Sequence, residues 1–182
     1  MLIRPLHIAI AALVLATISG IANGKVYLPK QEALQLAFPG ADKIETANLY
    51  LTKEEMKEVT RASGATVDSA LYTIYVGRAG EVILGYATIE AATVRTLPET
   101  VMVVMKLDGA VDFIEILAFF EPEEYKPAKR WLDQFQGKRL STSLRVGGDI
   151  QSLTGATLSA QAITRQVRKS SAMLRLFLER RP

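Results

Sequence analysis

The chain has 182 residues, with 22 basic side chains against 19 acidic ones, no cysteine and a single histidine, His7. The length suits one domain with one sizeable core. The lack of cysteine excludes disulfides, thiolate catalysis, iron–sulfur clusters and thiol-bound zinc, and a lone histidine leaves almost nothing for a catalytic triad or a histidine metal site. A net charge of +3 is too small to indicate nucleic-acid binding.

The first 24 residues have the pattern of a signal for export. Arg4 precedes fifteen consecutive apolar and small residues, Ile8 to Ala22, fewer than the roughly twenty that a membrane-spanning helix needs. Ala22-Asn23-Gly24 then offers small residues at a cleavage site. We therefore predict a signal peptide over residues 1–24, with an uncleaved N-terminal anchor as the alternative. Either way we expect an extracytoplasmic, periplasmic protein, which stays membrane-anchored if the segment is kept.

Residues 25–69 are predicted to form the N-terminal part of a single domain. Its elements are a helix over Lys30–Phe38, an extended segment over Asn48–Leu51 and a helix from Thr52 to about Ala62. Thr52 and Glu55 have the spacing of a capping box, in which each side chain accepts a hydrogen bond from the other residue's amide. Gly64 is placed to end that helix in a left-handed turn.

Residues 70–180 are predicted to form the rest of that domain, which begins with two β-hairpins. The first joins Leu71–Val76 to Glu81–Ile89 through Gly77-Arg78-Ala79-Gly80, and the second joins Val101–Leu107 to Val111–Phe119 through Asp108-Gly109. An acidic loop, a short helix and an irregular stretch follow: Glu121–Pro127, Lys129–Gln136 and Arg139–Asp149. We predict an α+β fold in which antiparallel hairpins pack against helices.

A long helix is predicted from Ser159 to Arg180, with Ile163, Val167, Leu174 and Leu178 along one stripe. The segment before it, Leu153–Ser159, combines small residues with hydroxyls. Free amides and the helix dipole at such a start can bind a phosphate, and glycine and alanine let it approach the main chain. The residues by themselves favour the alternative, in which Thr157 or Ser159 only caps the helix.

Three blocks in this order resemble the FMN-binding domain family, over about residues 70–170. Thr154-Gly155-Ala156-Thr157 matches the end of the flavinylation motif, Asp-x-x-(Ser/Thr)-Gly-Ala-Thr. Glu121–Tyr125, with Trp131–Lys138, resembles the family's Glu-Thr-Pro-Gly loop and Gln-Phe-x-Gly-Lys segment. Leu97–Val103 fits the strand that leads into the family's central hairpin. The family includes the periplasmic flavin subunits of sodium-pumping NADH:quinone reductases and of Rnf electron-transport complexes.

The resemblance implies an NqrC/RnfG-like FMN-binding fold and one FMN per chain, joined by a phosphodiester bond to Thr157. The neighbouring motif residues would contact the cofactor: Thr154, Gly155, Ala156, Leu158 and Ser159. It also implies an ApbE-type flavin transferase that uses FAD and magnesium. The chain itself would be an electron carrier between membrane-associated and periplasmic redox proteins, with no catalytic residue and no metal of its own.

Other functions stay open at the level of sequence. One is a flavin-dependent reductase that acts on a small substrate, with Tyr125 or a glutamate as its proton donor. Another is a subunit of an Rnf- or Nqr-type membrane complex rather than a free carrier. A third is a non-redox adhesion or scaffold domain, in which Thr157 belongs to a helix cap.

Six more side chains are candidate contacts to the flavin: Arg95, Pro98, Glu99, Glu121, Tyr125 and Trp131. The aromatic faces of Tyr125 and Trp131 suit a flavin ring, although a lone tryptophan on a short helix is equally expected in the core. Arg95 would supply positive charge to the phosphate or the reduced ring, or else be a solvated loop residue.

Two features bear on the choice of threonine. The family's aspartate falls at Gln151 here, with Asp149 two places earlier, which puts the efficiency of the modification in doubt. Ser63-Gly64-Ala65-Thr66 repeats the core motif, but it ends a helix, where carbonyl groups and the dipole repel phosphate, and Asp68 follows. We therefore expect Thr157, not Thr66, to carry the cofactor.

The last helix is rich in cations: Arg165, Arg168, Lys169, Arg175, Arg180 and Arg181. This charge would attract a membrane surface or an acidic redox partner. The alternative is that cations near the end of a helix complement its dipole.

Overall fold

A computed structural model describes residues 24–180. The predicted signal segment therefore lies outside the described residues, apart from Gly24. The strands are β1 (Lys25–Val26), β2 (Lys43–Tyr50), β3 (Leu71–Ala79), β4 (Val82–Thr93), β5 (Pro98–Met105) and β6 (Val111–Phe119). The helices are α1 (Lys30–Ala37), α2 (Lys53–Ser63), α3 (Lys129–Leu132) and α4 (Thr157–Glu179). Single 3-10 turns cover Glu123–Tyr125 and Asp133–Phe135.

The six strands form one sheet in the order β1-β6-β5-β4-β3-β2, and every neighbouring pair is antiparallel. The predicted α+β class with antiparallel hairpins is confirmed. The second hairpin is confirmed as well, with β5 and β6 joined through Asp108-Gly109 and Gly109 at a φ of +78°.

The first hairpin turns later than predicted. Gly77, Arg78 and Ala79 remain in β3 and pair with β4, so the turn lies at Gly80-Glu81. Gly77 serves close packing rather than the turn, because a Cβ atom at Gly77 would lie 2.3 Å from the ring of Phe38. The prediction that Gly77 belongs to the turn is therefore wrong.

The extended segment predicted at Asn48–Leu51 is also longer in the structure. β2 begins at Lys43 and pairs with β3 along its whole length, from Lys43 opposite Arg78 to Tyr50 opposite Leu71. The strand lies at the edge of the sheet and has a mixed polar composition. Its first half therefore shows no clear hydrophobic alternation, and the sequence did not predict it.

The capping box of α2 is confirmed. The Thr52 hydroxyl accepts a hydrogen bond from the Glu55 amide at 3.2 Å, and the Glu55 carboxylate accepts one from the Thr52 amide at 2.7 Å. Gly64 follows the helix at a φ of +71°, as predicted. α4 differs, because it begins at Thr157, two residues before the predicted start, and no side chain caps it. Its N-cap residue is Ala156, so neither Thr157 nor Ser159 acts as the cap.

The two faces of the sheet are covered unequally. α2 and α4 pack on one face over the main core, where the predicted stripe of α4 lies; Ile163, Val167 and Leu174 are buried there and Leu178 is half-buried. The eight-residue α1 covers the other face with a smaller cluster around Phe38, Tyr75 and Met102. None of the helices in residues 24–180 is long and apolar enough to cross a bilayer.

Arg168 of α4 joins three parts of the main core through backbone carbonyl groups. Its guanidinium donates to Ser63 at 3.0 Å and to Ala62, at the C-terminal end of α2, where a cation also complements the helix dipole. It donates at 2.9 Å to Ser141 and to Leu144 in the irregular segment before α4. This cation is therefore part of the fold.

We predict that Arg168→Met lowers the free energy of unfolding by about 2–3 kcal/mol, because several carbonyl groups lose a charged donor while the apolar stem is kept. The matched control is Arg175→Met, which removes an exposed ion pair with Glu58 and should cost less than about 1 kcal/mol. Urea denaturation measures both. Equal losses in the two variants would contradict this role for Arg168.

Candidate functional site

The candidate site lies at the N-terminal end of α4. Gly155 adopts a φ of +83°, which favours glycine, and the turn closes with a bond from the Ala156 amide to the Leu153 carbonyl at 3.1 Å. The first helical bond is donated by Ala160 to the carbonyl of Ala156. The amides of Thr157, Leu158 and Ser159 therefore have no helix carbonyl to bind, which makes this end of the helix a donor site for an anion.

Ser159 supplies a second, independent indication of a ligand. Its side chain is 1% exposed, and its hydroxyl oxygen has no hydrogen-bond partner in the described part of the chain. Leaving a buried hydroxyl unpaired costs about 1–3 kcal/mol, so such groups are found where a ligand or water completes the bonding. The hydroxyl belongs to the same helix turn as the free amides.

A small cavity of about 200 Å³ opens at this helix end, lined by Arg95, Tyr125 and residues 155–159. The guanidinium carbon of Arg95 lies 5.3 Å from the centroid of the Tyr125 ring, within the range of a cation–π contact. Among the described residues, Arg95 is the only charged one in the lining, so the cavity combines its cation with the positive end of the α4 dipole.

Thr157 is exposed at the first position of α4 and lines this cavity. Its hydroxyl makes only a long hydrogen bond, 3.4 Å, to the Leu153 carbonyl. Thr154 is exposed in the turn just before it, outside the cavity lining. The structure thus brings Gly155, Ala156 and the hydroxyl of Thr157 to one solvent-accessible place.

Glu121 shapes the loop that carries Arg95 and does not line the cavity. One of its carboxylate oxygens accepts hydrogen bonds from the backbone amides of Arg95, Thr96 and Leu97, at 2.9, 2.8 and 2.9 Å. Burial acts to raise the pKa of this carboxyl, but the three amide donors prevail and lower it. A single anion therefore holds the loop in place beside the site.

Trp131 belongs to the core. It is 6% exposed, packs edge-on against Phe135 with ring centroids 5.5 Å apart, and lies outside the cavity lining. Its indole N–H donates to the Gln151 carbonyl at 2.9 Å, and the Gln134 side chain accepts a bond from the Gln151 amide at 2.8 Å. These two bonds tie the short helix to the segment that leads into Thr157.

Gln151, at the position where the resemblance expects an aspartate, has an exposed side chain, and its backbone makes the two hydrogen bonds just described. The carboxylate of Asp149 accepts a hydrogen bond from the Ser143 hydroxyl at 2.8 Å and lies in the preceding turn.

Pro98 and Glu99 begin β5, next to the Arg95 loop. The Pro98 carbonyl accepts a bond from Phe120, and Glu99 is fully buried, bonded to the Gln166 side-chain amide at 2.8 Å. Burial raises the pKa of Glu99 to about 8, against the opposing effects of Gln166 and Arg165. One oxygen of Glu99 and the side-chain oxygen of Gln166 have no partner in the described residues.

Sequence reasoning missed Gln166, although a signal existed. It lies between Ile163 and Val167 on the stripe of α4 that faces the sheet, where a polar side chain is unusual. A polar residue at such a position indicates a buried polar partner on the facing element, and Glu99 is that partner.

Thr66 lies where the sequence places it, just after the C-terminal end of α2. It lines a different cavity, of about 410 Å³, together with Asp68, Glu90, Arg165 and Lys169. The carbonyl groups at this helix end are taken up by Arg168. Thr66 therefore lies beside the C-terminal end of a helix and not beside a helix N-terminus.

No protein-family model matches this chain, and no curated protein matches it significantly. Residues 24–180 also contain no group of three or more histidine, cysteine, aspartate or glutamate side chains arranged to hold a metal.

We predict that the stability of the protein depends on the ionisation of Glu99. Between its ordinary pKa of 4.5 and its folded pKa of about 8, the folded protein keeps a proton that the unfolded chain releases. Stability therefore falls as pH rises through this window. Relative to wild type, Glu99→Gln should gain more than about 1 kcal/mol in free energy of unfolding between pH 5 and pH 9.

Urea denaturation at pH 5, 7 and 9 measures this gain, with the exposed Glu124→Gln as the control that should follow wild type. Parallel pH profiles for Glu99→Gln and wild type would show that Glu99 titrates normally.

We also predict that Glu121→Ala releases the loop beside the site. Three amides lose their shared acceptor, so hydrogen exchange at Arg95, Thr96 and Leu97 should become at least about tenfold faster. Glu124→Ala removes an exposed acid from the same segment and should leave these rates unchanged. Unaltered protection in Glu121→Ala would rule out the holding role of Glu121.

Proposed function

We propose that this protein is an exported electron-transfer flavoprotein that carries one FMN in phosphodiester linkage to Thr157. The proposal rests on three separate segments of the chain that meet at one cavity. The Arg95 loop, the segment around Tyr125 and the turn before α4 are far apart in sequence, yet they line one cavity at the start of α4. Two of these segments belong to the sequence blocks that resemble the FMN-binding domain family, and the Arg95 loop leads into the third.

The residues present fit the phosphate end of FMN. A phosphate group bonded to the Thr157 oxygen would face the free amides of the first turn, which are arranged as anion donors. The buried Ser159 hydroxyl would gain the partner that it lacks, and Arg95 would add a charge-assisted contact. Gly155 and Ala156 leave room beside the backbone for this group.

The ring end has suitable surfaces at the mouth of the cavity. Leu158 is 46% exposed and offers an apolar side chain, and the half-buried ring of Tyr125 offers an aromatic face. The positive charge of Arg95 would favour an anionic form of a reduced flavin. The chain thus contributes binding, orientation and electrostatics, while the flavin supplies the electron-carrying chemistry.

Attachment would follow the transfer implied by the resemblance. The Thr157 oxygen forms a bond to the phosphorus of the flavin half of FAD, the bond from that phosphorus to AMP breaks, and AMP and the hydroxyl proton are released. A magnesium-dependent transferase of the ApbE type supplies this reaction. The exposed position of Thr157 is compatible with access by such an enzyme.

The proposal also covers the fold, the localisation and the redox partners of the protein. It includes the NqrC/RnfG-like fold, export by the N-terminal signal, and exchange of electrons with membrane-associated or periplasmic redox proteins. A reductase with its own substrate would need a proton donor beside the flavin. Among residues 24–180, the lining of the cavity offers one phenol for that role, Tyr125, and no carboxyl group.

We predict that Thr157→Ala abolishes flavin attachment when the protein is produced in an exporting host that has the transferase. Fluorescence of the denatured protein band measures the attachment, because a phosphodiester survives denaturation. Thr157→Ser retains a hydroxyl at the same place and should keep the fluorescence, and Thr66→Ala should resemble wild type.

Retained fluorescence in Thr157→Ala, or its loss in Thr66→Ala, would show that another residue is the acceptor. A colourless wild-type protein from such a host would overturn the flavin assignment itself.

A further inference from the structure

The positive charge expected on the last helix is largely neutralised in the fold. Arg168 is bound to carbonyl groups, and the other described cations of that helix find acids: Lys169 pairs with Glu90, Arg175 with Glu58 and Glu179, and Arg180 with Glu55. Arg165, which lines the 410 Å³ cavity, is the exception. A partner that recognises positive charge would therefore find little of it on α4.

Three cations of α2, by contrast, have no acidic partner among the described residues. Lys53, Lys57 and Arg61 make no hydrogen bond or salt bridge within residues 24–180. They are spaced four residues apart, which places them along one side of the helix in a row about 12 Å long. The acids Glu55 and Glu58 pair with Arg180 and Arg175 on the side that faces α4, and the third acid of the helix, Glu54, is exposed and makes no salt bridge within residues 24–180.

An apolar groove runs beside this row of cations. The cavity there has a volume of about 440 Å³ and is lined by the three cations together with Met56, Thr60 and Val67. Val67 is buried and Met56 half-buried, so the apolar atoms form the floor while the charges form the rim. No acid among residues 24–180 lines it, and the like charges of the rim repel one another until an anion approaches.

We propose that this α2 groove, defined by Lys53, Met56, Lys57, Thr60, Arg61 and Val67, docks an acidic segment of a partner protein. Carboxylates of that segment would pair with the rim, and an aliphatic or aromatic side chain between them would enter the groove. The complementary charges would speed the encounter and make the binding sensitive to salt. This inference rests on α2 and does not depend on the proposed cofactor.

Two other occupants fit the groove less well. A bilayer presents a broad surface and is best met by protruding apolar side chains, whereas here the apolar atoms lie below a charged rim. The remaining parts of this chain lack the required charge, because residues 1–23 and residues 181–182 contain no aspartate or glutamate. A partner segment with both acids and apolar side chains would pair with the cations of the rim and pack against the apolar floor.

The test uses a fluorescently labelled synthetic peptide of repeated Glu-Glu-Leu and the protein purified from an exporting host, with binding followed by anisotropy. Replacing the three cations together, Lys53→Gln, Lys57→Gln and Arg61→Gln, should weaken binding at least about tenfold. The control removes the same charge elsewhere, by Lys25→Gln, Arg130→Gln and Arg145→Gln, and should change binding less than about twofold. A Glu-Glu-Ser peptide, which lacks the apolar side chain, should bind the wild type more weakly.

Circular dichroism verifies that both triple variants are folded. Equal weakening in the two variants, or no binding of the Glu-Glu-Leu peptide to wild type, would overturn the proposal. Two further measurements identify the competing occupants. Binding to vesicles of phosphatidylglycerol and phosphatidylethanolamine that is lost only in the α2 variant would assign the groove to a membrane surface. Self-association in sedimentation that is lost only in that variant would assign it to a second copy of the chain.

Discussion

The packing of α4 across one face of the sheet is the constraint on which the rest of the structure depends. This helix supplies much of the main core through Ile163, Val167 and Leu174, and Arg168 fixes α2 and the preceding irregular segment to it. Because the helix must lie where its apolar stripe meets the sheet, its N-terminal end is carried to the loop between β4 and β5. The candidate site is thus a consequence of how the core is packed.

The buried polar groups in and around α4 have different roles. The Glu121 carboxylate accepts hydrogen bonds from three amides and orders the Arg95 loop, whereas Glu99 and Gln166 are buried and each has one oxygen without a partner in residues 24–180. Ser159 is unpaired as well, but it lies at the free end of the helix, beside the cavity. Their surroundings therefore distinguish Glu121, which stabilises a loop, from Ser159, which is suited to bind a ligand.

Local signals in the sequence were sufficient for part of the fold. The capping box of Thr52 and Glu55, the turn at Asp108-Gly109 and the stripe of α4 depend on neighbouring residues, and all three are confirmed. Gly77 was misassigned because the residue that requires a glycine there, Phe38, is distant in sequence. The first half of β2 was missed because an edge strand with polar side chains lacks a clear hydrophobic alternation.

The same distinction applies to the site. The hydroxyls and small residues before α4 by themselves favour a simple helix cap over a phosphate site, and only the resemblance to the FMN-binding domain family favours the phosphate site. Tertiary contacts bring Arg95 and Tyr125 to the same cavity, and these contacts have no local signature in the sequence. The same is true of Glu121 and Trp131, which hold neighbouring segments in place without lining the cavity. Trp131 could be assigned to the core only from its burial and its packing against Phe135.

The central claim is that Thr157 carries the flavin, and peptide mapping of the protein co-produced with a flavin transferase tests it most directly. Trypsin places Thr157 in the peptide of residues 146–165 and Thr66 in the peptide of residues 62–78. The first peptide should gain the mass of one FMN less one water, and fragmentation should assign the gain to Thr157. An unmodified 146–165 peptide, or a flavin on the 62–78 peptide, would contradict it.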